Sequence, residues 1–407
     1  MAAVWAAPPV IFPLKDVRAG QRGVGRTVFS GTRVEQFDVE ILGVLENIGP
    51  KQSIILARLS GGPLALTGVM QGMSGSPVYI DGKLLGAVAM GFPGAKEAIT
   101  GIRPIEEMLR VEPVTQRAAI PRMKADVSGA RLEDLSTPLA FSGFSATALE
   151  RFTPQLRDLG MDPRQGVGSG GRIPDALGDP ARLEAGSMIS VQLLTGDMSV
   201  SADGTVTAID GNKIYAFGHR FLSSGTTEFP FARAEVLALL PNVSSSFKIS
   251  RAVEWMGTVT EDRNAAIAGV TRRPAAMTPL EIKVGTNVYR MRMVEDRVMT
   301  PLLAQMALSS AIDTTEHSVG PATYSVKGTI RFAGGASVPI ETVSTGDLAV
   351  GPLTSLAVGT PLGYALGSGF DALKLRDVSL DVTAVDRRNL MQVADVSAPR
   401  RARPRSD

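Results

Sequence analysis

A single predicted hairpin constrains the fold of this chain more than any other segment. Two apolar runs, PVYI (77–80) and LLGAVAM (84–90), flank the pair Asp81-Gly82, which is a strong signal for a two-residue turn between antiparallel strands. Two earlier apolar runs lie at 34–45 and 53–59. The segment 24–92 therefore predicts a set of antiparallel strands.

Most of the remaining chain also favours strands joined by turns. Glycine and proline are abundant, with 43 and 26 residues, while aromatic residues make up only 5% of the sequence. Further strand-like runs occur at 187–194, 204–210, 213–221, 257–270, 280–294, 322–332 and 378–386, and helices are predicted at 102–111, 145–160 and 300–312. We therefore expect a mainly β protein.

A chain of 407 residues is long enough for more than one core. We expect a serine-bearing segment (1–112), a helical and Gly-rich connector (113–182), a histidine-bearing segment (183–275), a C-terminal β-rich domain resembling a sandwich (276–398) and a disordered basic tail (399–407). In the connector, Ser145 is a candidate helix N-cap and Gly160 lies near the predicted C-cap, while Pro154 favours a break. The Gly-rich stretch 165–172 follows no clear strand, so a linker is favoured over a nucleotide site.

Charge and residue usage exclude several classes of function. Lys and Arg number 42 against 40 Asp and Glu, so nothing favours a nucleic-acid surface. The absence of cysteine excludes a thiol nucleophile, thiolate metal sites and disulfides, and two distant histidines disfavour a zinc site. We therefore expect no metal, no cofactor and no membrane span, while the oligomeric state stays open.

The string GMSGSP, directly before the hairpin, contains a candidate nucleophile, Ser74. A serine hydroxyl attacks only when a base takes its proton and N–H groups stabilise the oxyanion. Gly72 allows the chain to turn successive N–H groups inward, so Gly72, Met73 and Ser74 are the candidate oxyanion hole. A plain polar turn between strands is the alternative, because such strings are common.

Histidine is the natural base for such a serine, and the chain offers two. His219 lies in KIYAFGHRF, directly after a predicted strand, where catalytic groups are often positioned. His317 lies in the polar stretch DTTEHSVGP, which is typical of an exposed loop. We therefore favour His219, although a histidine at a strand end can also be purely structural.

Together these segments resemble the SpoIVB (sporulation stage IV B) family of bacterial serine peptidases. The resemblance rests on VEQFDVEIL, on TGVMQGMSGSPVYIDGKLLGAVAMGF, on the segment ending in AFGHRF and on GTVTEDRNAAIAG, and it covers 24–112 and 183–270. It implies a chymotrypsin-like double β-barrel, Ser74 as nucleophile, His219 as general base and a protein or peptide substrate. It also implies an exported protein, periplasmic or extracellular, although the N-terminal stretch lacks a complete signal-peptide pattern.

Two departures from the family pattern affect these expectations. The serine segment precedes the histidine segment here, so we expect the two halves to be circularly permuted, which a catalytic constellation defined by geometry tolerates. No Asp or Glu lies between Glu46 and Asp81, where the family places its acid. The candidates for orienting His219 are Ser60, Asp38, Asp197, Asp210 and Asp262.

Three functions remain open at this point. The first is a serine endopeptidase that uses Ser74 and His219, with a relocated acid or none. Because loss of the orienting carboxylate costs on the order of 10⁴-fold in rate, the second is a weak or inactive protease-fold module that binds peptides or exported proteins. The third is a protein that cleaves itself once, in the connector, and then acts structurally.

Overall fold

A computed structural model describes most of the chain. It covers residues 8–110, 124–127, 130–135, 138–166, 173–315, 321–347, 350–370 and 373–388. His317, most of the Gly-rich stretch 165–172 and the basic tail lie outside the described residues.

The first part of the chain forms a closed six-stranded antiparallel barrel. Its elements are β1 (Arg22–Ser30), β2 (Arg33–Gly49), β3 (Gln52–Ser60), α1 (Leu64–Thr67), β4 (Pro77–Ile80), β5 (Lys83–Gly91), β6 (Ile99–Pro104) and α2 (Ile105–Leu109). The strand order is β4-β1-β2-β3-β6-β5, and β4 also pairs with β5, which closes the ring. The predicted hairpin is present, with Asp81 and Gly82 at φ +48° and +73°, as a type I′ turn requires. The helix predicted at 102–111 is shorter because β6 continues to Pro104.

The connector contributes edge strands and one helix. These are β7 (Lys124–Val127), β8 (Ala130–Asp134), β9 (Pro138–Ser142), α3 (Ala146–Asp158) and β10 (Asp162–Gln165). Ser145 Oγ accepts a hydrogen bond from the Ala148 N–H at 3.0 Å, which confirms the predicted N-cap. Pro154 does not break α3, because the buried face formed by Leu149, Phe152 and Leu156 holds the helix in place. Gly160 follows the helix at φ +79°.

The histidine-bearing part forms a second closed six-stranded barrel. Its strands are β11 (Met188–Gly196), β12 (Ser199–Asp210), β13 (Lys213–Ala216), β14 (Gly225–Leu240), β15 (Phe247–Asp262) and β16 (Ile267–Thr271). The order is β12-β13-β16-β15-β14-β11, and β11 pairs again with β12. The protein is therefore mainly β, with two barrels that fit the chymotrypsin-like arrangement expected above. Strand β13 ends earlier than predicted because Phe217 and Gly218 take φ +72° and +69° and leave the barrel as a loop.

The C-terminal strands continue the sheet of the second barrel. They are β17 (Thr278–Val284), β18 (Asn287–Met293), β19 (Ala322–Phe332), β20 (Ser337–Gly346) and β21 (Leu375–Val385), with helices α4 (Met299–Thr315) and α5 (Val350–Gly367) between them. The expected sandwich takes a different form here: one five-stranded sheet, β18-β17-β21-β19-β20, with α4 and α5 packed on it. None of the described helices combines the length and apolarity that a membrane span needs.

The two barrels contact each other along a seam. Gly31 at the end of β1 and Val236 in β14 exchange two backbone hydrogen bonds of 2.8 Å. Farther along the seam, the Gln71 N–H donates to the Ser246 carbonyl at 2.9 Å, and the Lys248 N–H donates to the Gln71 carbonyl at 3.2 Å. The segment that carries Ser74 is thus held against the second barrel from its first residues.

Candidate active site

Ser74 lies in a compact turn between α1 and β4, which we call the serine turn (residues 70–76). The Met73 N–H donates to the Met70 carbonyl at 3.1 Å, and the Ser76 N–H donates to the Met73 carbonyl at 2.8 Å. Gly72 and Gly75 take φ +90° and +91°, a region that favours glycine. The two glycines of GMSGSP are therefore required by the backbone path of the turn.

Strand β12 of the second barrel holds the carbonyl groups of the serine turn. The Thr205 N–H donates to the Ser74 carbonyl at 2.9 Å, and Thr205 Oγ1 donates to the Gly72 carbonyl at 2.9 Å. Thr207 Oγ1 donates to the Gly75 carbonyl at 2.7 Å. With these carbonyls directed at β12, the Gly72 and Ser74 N–H groups make no hydrogen bond to any described residue.

Met73 does not fit the oxyanion hole predicted from the sequence. Its N–H already donates to the Met70 carbonyl and closes the first half of the serine turn. A donor that holds the turn together is not available to a ligand without opening that turn. Gly72 and Ser74 are therefore the two donors that this backbone leaves for an oxyanion.

The Ser74 side chain is buried and has no hydrogen-bond partner in the structure. Only 1% of the residue is exposed, and its Oγ makes no hydrogen bond. Leaving a buried hydroxyl unpaired costs about 1–3 kcal/mol, so natural structures rarely keep one without another reason. A serine that served only as a polar turn residue would be expected to have a partner.

The loop that carries His219 meets the serine turn on strand β5. The Gly75 N–H donates to the Val88 carbonyl at 2.8 Å, and a Cβ placed on Gly218 would lie 3.2 Å from that same carbonyl oxygen. A Cβ placed on Gly75 would lie 2.5 Å from the Phe217 nitrogen. The neighbours of Ser74 and the residues just before His219 are therefore packed together, from opposite barrels.

His219 is held in one tautomer by the backbone. Only 3% of the residue is exposed, and its Nδ1 lies 2.7 Å from the Arg220 carbonyl oxygen. A carbonyl can only accept, so Nδ1 carries a proton in this hydrogen bond, and in the neutral imidazole the lone pair is then on Nε2. This is the tautomer that a general base needs. Because Ser74 Oγ has no partner, no hydrogen bond joins it to His219 in this structure.

Of the predicted orienting residues, Asp262 is the buried one, with 1% exposed. Its Oδ1 accepts from the Phe221 N–H at 2.8 Å, and its Oδ2 accepts from the Leu222 and Ser224 N–H groups at 2.6 and 3.0 Å. Burial raises the pKa of Asp262, and the three hydrogen bonds offset part of this effect. Asp262 therefore fixes the segment that directly follows His219.

The other four orienting candidates lie at the surface. Asp38 and Ser60 are exposed partners in the β2–β3 ladder. Asp197 is exposed and accepts a hydrogen bond from the Arg290 N–H at 2.7 Å, and Asp210 is exposed at the turn between β12 and β13. Their exposure contrasts with the buried position of His219 and gives no support to an orienting role.

Two buried cations near the site were not predicted from the sequence. Arg103 donates through Nε to the Gly218 carbonyl at 3.4 Å and through Nη1 to Glu107 at 3.3 Å, so it supports the histidine loop from β6. Lys248 packs against Gly72 from β15, and burial lowers its pKa to about 7. Arg103 reaches Gly218, and Lys248 reaches Gly72, only because the two barrels are paired.

The two barrels and the serine turn define the architecture as a chymotrypsin-like double β-barrel. In comparison with protein-family models, residues 7–109 match the SpoIVB peptidase S55 family. This match confirms, over the barrel that contains the serine turn, the resemblance to SpoIVB peptidases drawn from the sequence, and it supports a peptidase, which is a hydrolase. No curated protein and no solved structure matches the chain significantly.

Proposed function

We propose that this protein is a serine peptidase of the SpoIVB type, in which Ser74 attacks the carbonyl carbon of a peptide bond. The observation that carries the proposal is the buried, unpartnered Ser74 hydroxyl on a turn that packs against the histidine loop. The family match over residues 7–109 supports the same class of reaction. From the serine-first order of the two barrels we further propose a circularly permuted arrangement of that family's halves.

In the proposed mechanism, His219 Nε2 takes the proton of Ser74 as the hydroxyl attacks. The oxyanion that forms on the substrate carbonyl accepts hydrogen bonds from the Gly72 and Ser74 N–H groups. The imidazolium then donates its proton to the leaving amine, and a water molecule hydrolyses the acyl-enzyme by the same steps in reverse. Thr205 and Thr207 hold the carbonyls of the turn and keep its N–H groups pointed away from β12.

The Arg220 carbonyl takes over part of the work of the missing acid. In a Ser-His-Asp triad the carboxylate fixes the histidine tautomer and stabilises the imidazolium. The Arg220 carbonyl accepts from Nδ1 and fixes the tautomer, but it carries no full negative charge. Asp262 holds the following loop through three backbone N–H groups. We therefore propose a Ser74–His219 pair with a backbone orienting group.

Burial of the site favours a second candidate function. Ser74 and His219 are both almost fully buried, and no hydrogen bond joins Ser74 Oγ to the imidazole. A peptidase must open the serine turn or the histidine loop to admit a peptide, and such hydrogen bonds commonly tighten only when substrate is bound. A protease-fold module that binds a peptide or an exported protein without cleaving it needs no such rearrangement.

A fluorophosphonate probe, which reacts with activated serines, separates these two functions. We expect the wild type to be labelled at Ser74, and labelling to disappear in Ser74→Ala and His219→Ala. Ser337→Ala is the matched control, because Ser337 is an exposed serine in the C-terminal sheet. Mass spectrometry identifies the labelled residue and circular dichroism verifies folding.

The outcomes of this experiment are distinct. Labelling that requires both Ser74 and His219 supports the peptidase. A folded wild type that stays unlabelled through long incubation favours the binding module. A single nick between 113 and 182 that appears in the intact mass of the wild type, and not in Ser74→Ala, identifies self-cleavage instead.

A further inference from the structure

A buried lysine lies against the serine turn and has no part in the mechanism described so far. Lys248, at 5% exposed, projects from β15 across the seam between the barrels. A Cβ placed on Gly72 would lie 3.2 Å from Lys248 Cδ, so the aliphatic part of the side chain packs on the Gly72 backbone. Lys248 therefore contacts the residue that is one of the two proposed oxyanion donors.

The ammonium group of Lys248 is connected to the other end of the same turn. Lys248 Nζ donates to Thr27 Oγ1 on β1 at 2.7 Å, and Ser76 Oγ donates to that same oxygen at 3.0 Å. The side chain thus lies against Gly72 at its Cδ and is linked to Ser76 through Thr27 Oγ1, and these two residues flank Ser74 in the sequence. The ammonium group and the Ser76 hydroxyl are thus connected through Thr27 Oγ1, to which both donate.

No carboxylate pairs with Lys248 among the residues that the structure describes. Strand β11 and the serine turn, which pack against it, carry no charged side chains. Charged side chains on the neighbouring strands β1, β12, β14 and β15 have other partners: Arg26 with the Tyr79 ring, Asp203 with Ser190 and Ser250, Glu235 with Arg251, and Arg233 with Glu254. Through the Gln71 amide the turn also reaches Asp162, which pairs with Arg164.

An uncompensated buried ammonium is costly, and a methionine of similar shape fills such a space more cheaply. A buried cation beside backbone donors is useful where negative charge develops during a reaction, because the low dielectric strengthens the attraction. A role as base is not favoured, since Nζ is a donor to Thr27 Oγ1 on β1.

We propose that Lys248 is an electrostatic component of the Ser74 site, whose ammonium stabilises the oxyanion held by the Gly72 and Ser74 N–H groups. This inference rests on the proposed peptidase function and adds a residue to it. The effect belongs to the protonated lysine. Because burial lowers the pKa of Lys248 to about 7, the contribution is present below neutral pH and is lost as the pH rises.

The test measures the rate of fluorophosphonate labelling at Ser74 from pH 5.5 to 9 in the wild type and in Lys248→Met. We expect Lys248→Met to react about 10- to 100-fold more slowly at pH 6, which is less than the loss of a direct oxyanion donor. The two rates should converge by pH 9, where the wild-type lysine is neutral. Thr27→Val, which removes the hydroxyl that anchors Nζ, should show a smaller loss with the same pH dependence.

Several results would overturn the inference. A rate ratio that does not change with pH assigns Lys248 a structural role, and a ratio that grows with pH assigns it the role of a base. If Lys248→Met does not fold, the folded Thr27→Val variant decides. A labelling rate in Thr27→Val that equals the wild-type rate at every pH refutes the electrostatic role. Labelling that survives in Ser74→Ala, or is absent from the wild type at every pH, overturns the proposed peptidase function together with this inference.

Discussion

Replacing Lys248 with methionine should stabilise the protein at low pH, and the structure gives the size of the effect. Burial lowers the pKa of Lys248 from 10.5 to about 7. Between those values the unfolded chain binds more protons than the folded protein, so the free energy of unfolding of the wild type rises with pH. At 1.36 kcal/mol per pKa unit, and with half of the folded lysine already neutral at pH 7, the rise between pH 7 and pH 9 is about 2 kcal/mol.

Lys248→Met has no ammonium group at this position, so its free energy of unfolding lacks the pH-dependent contribution of the lysine. Urea unfolding of both proteins at pH 6, 7.5 and 9 measures the difference. We expect Lys248→Met to exceed the wild type by about 2–5 kcal/mol at pH 6, because the penalty for the buried charge is then fully present. Between pH 6 and pH 9 the gap should narrow by about 3 kcal/mol. A mutant that is less stable at pH 6, or a gap that is constant with pH, would refute the reasoning.

Three further predictions test the turn, the histidine loop and the connector. Gly75→Ala should lower both labelling and the melting temperature, because its Cβ would lie 2.0 Å from the Thr205 carbonyl oxygen at φ +91°; Gly20→Ala, at φ +84° with open space around it, should cost only about 1 kcal/mol. Asp262→Asn should slow labelling at least tenfold and lower the free energy of unfolding by about 2–4 kcal/mol, since one of the two carboxylate oxygens is lost as an acceptor. If the exposed control Asp197→Asn lowers the labelling rate and stability by the same amounts, this reasoning is wrong. Ser145→Ala should cost about 1 kcal/mol in thermal unfolding through loss of the α3 cap and leave labelling unchanged.

Local signals predicted much of the fold. The Asp81-Gly82 hairpin and the Ser145 cap depend on residues close in sequence, and both are present. Helix α5 was not predicted, because proline and glycine have low helix propensity. Its sequence also has no polar face that would show a helical period. The early end of β13 was not predicted either, since nothing in KIYAF signals that Phe217 takes a positive φ.

The site was predictable only where its chemistry is local. The string GMSGSP is recognisable in the sequence as a tight turn because two glycines, which take positive φ in the structure, flank the serine. Lys248 and Arg103 give no comparable signal, because each is a single charged residue in a strand pattern. Their roles follow only from contacts with the opposite barrel. Met73 was assigned as a donor because a sequence does not show which N–H groups a turn uses for itself.

The sequence has no Asp or Glu between Glu46 and Asp81, where SpoIVB peptidases place the acid of the triad, and other groups can perform parts of its role. In the proposed mechanism, the Arg220 carbonyl fixes the imidazole tautomer, and Asp262 fixes the loop by accepting three N–H groups rather than by contacting the ring in the hydrogen bonds described. Neither of these two contacts places a full negative charge beside Nδ1, so each stabilises the imidazolium less than the carboxylate of a triad does. A cation beside the oxyanion donors lowers the energy of the same transition state from its negative end. Lys248 and a carboxylate at His219 act on opposite ends of that transition state, so a carboxylate introduced beside Nδ1 should reduce the effect of Lys248→Met.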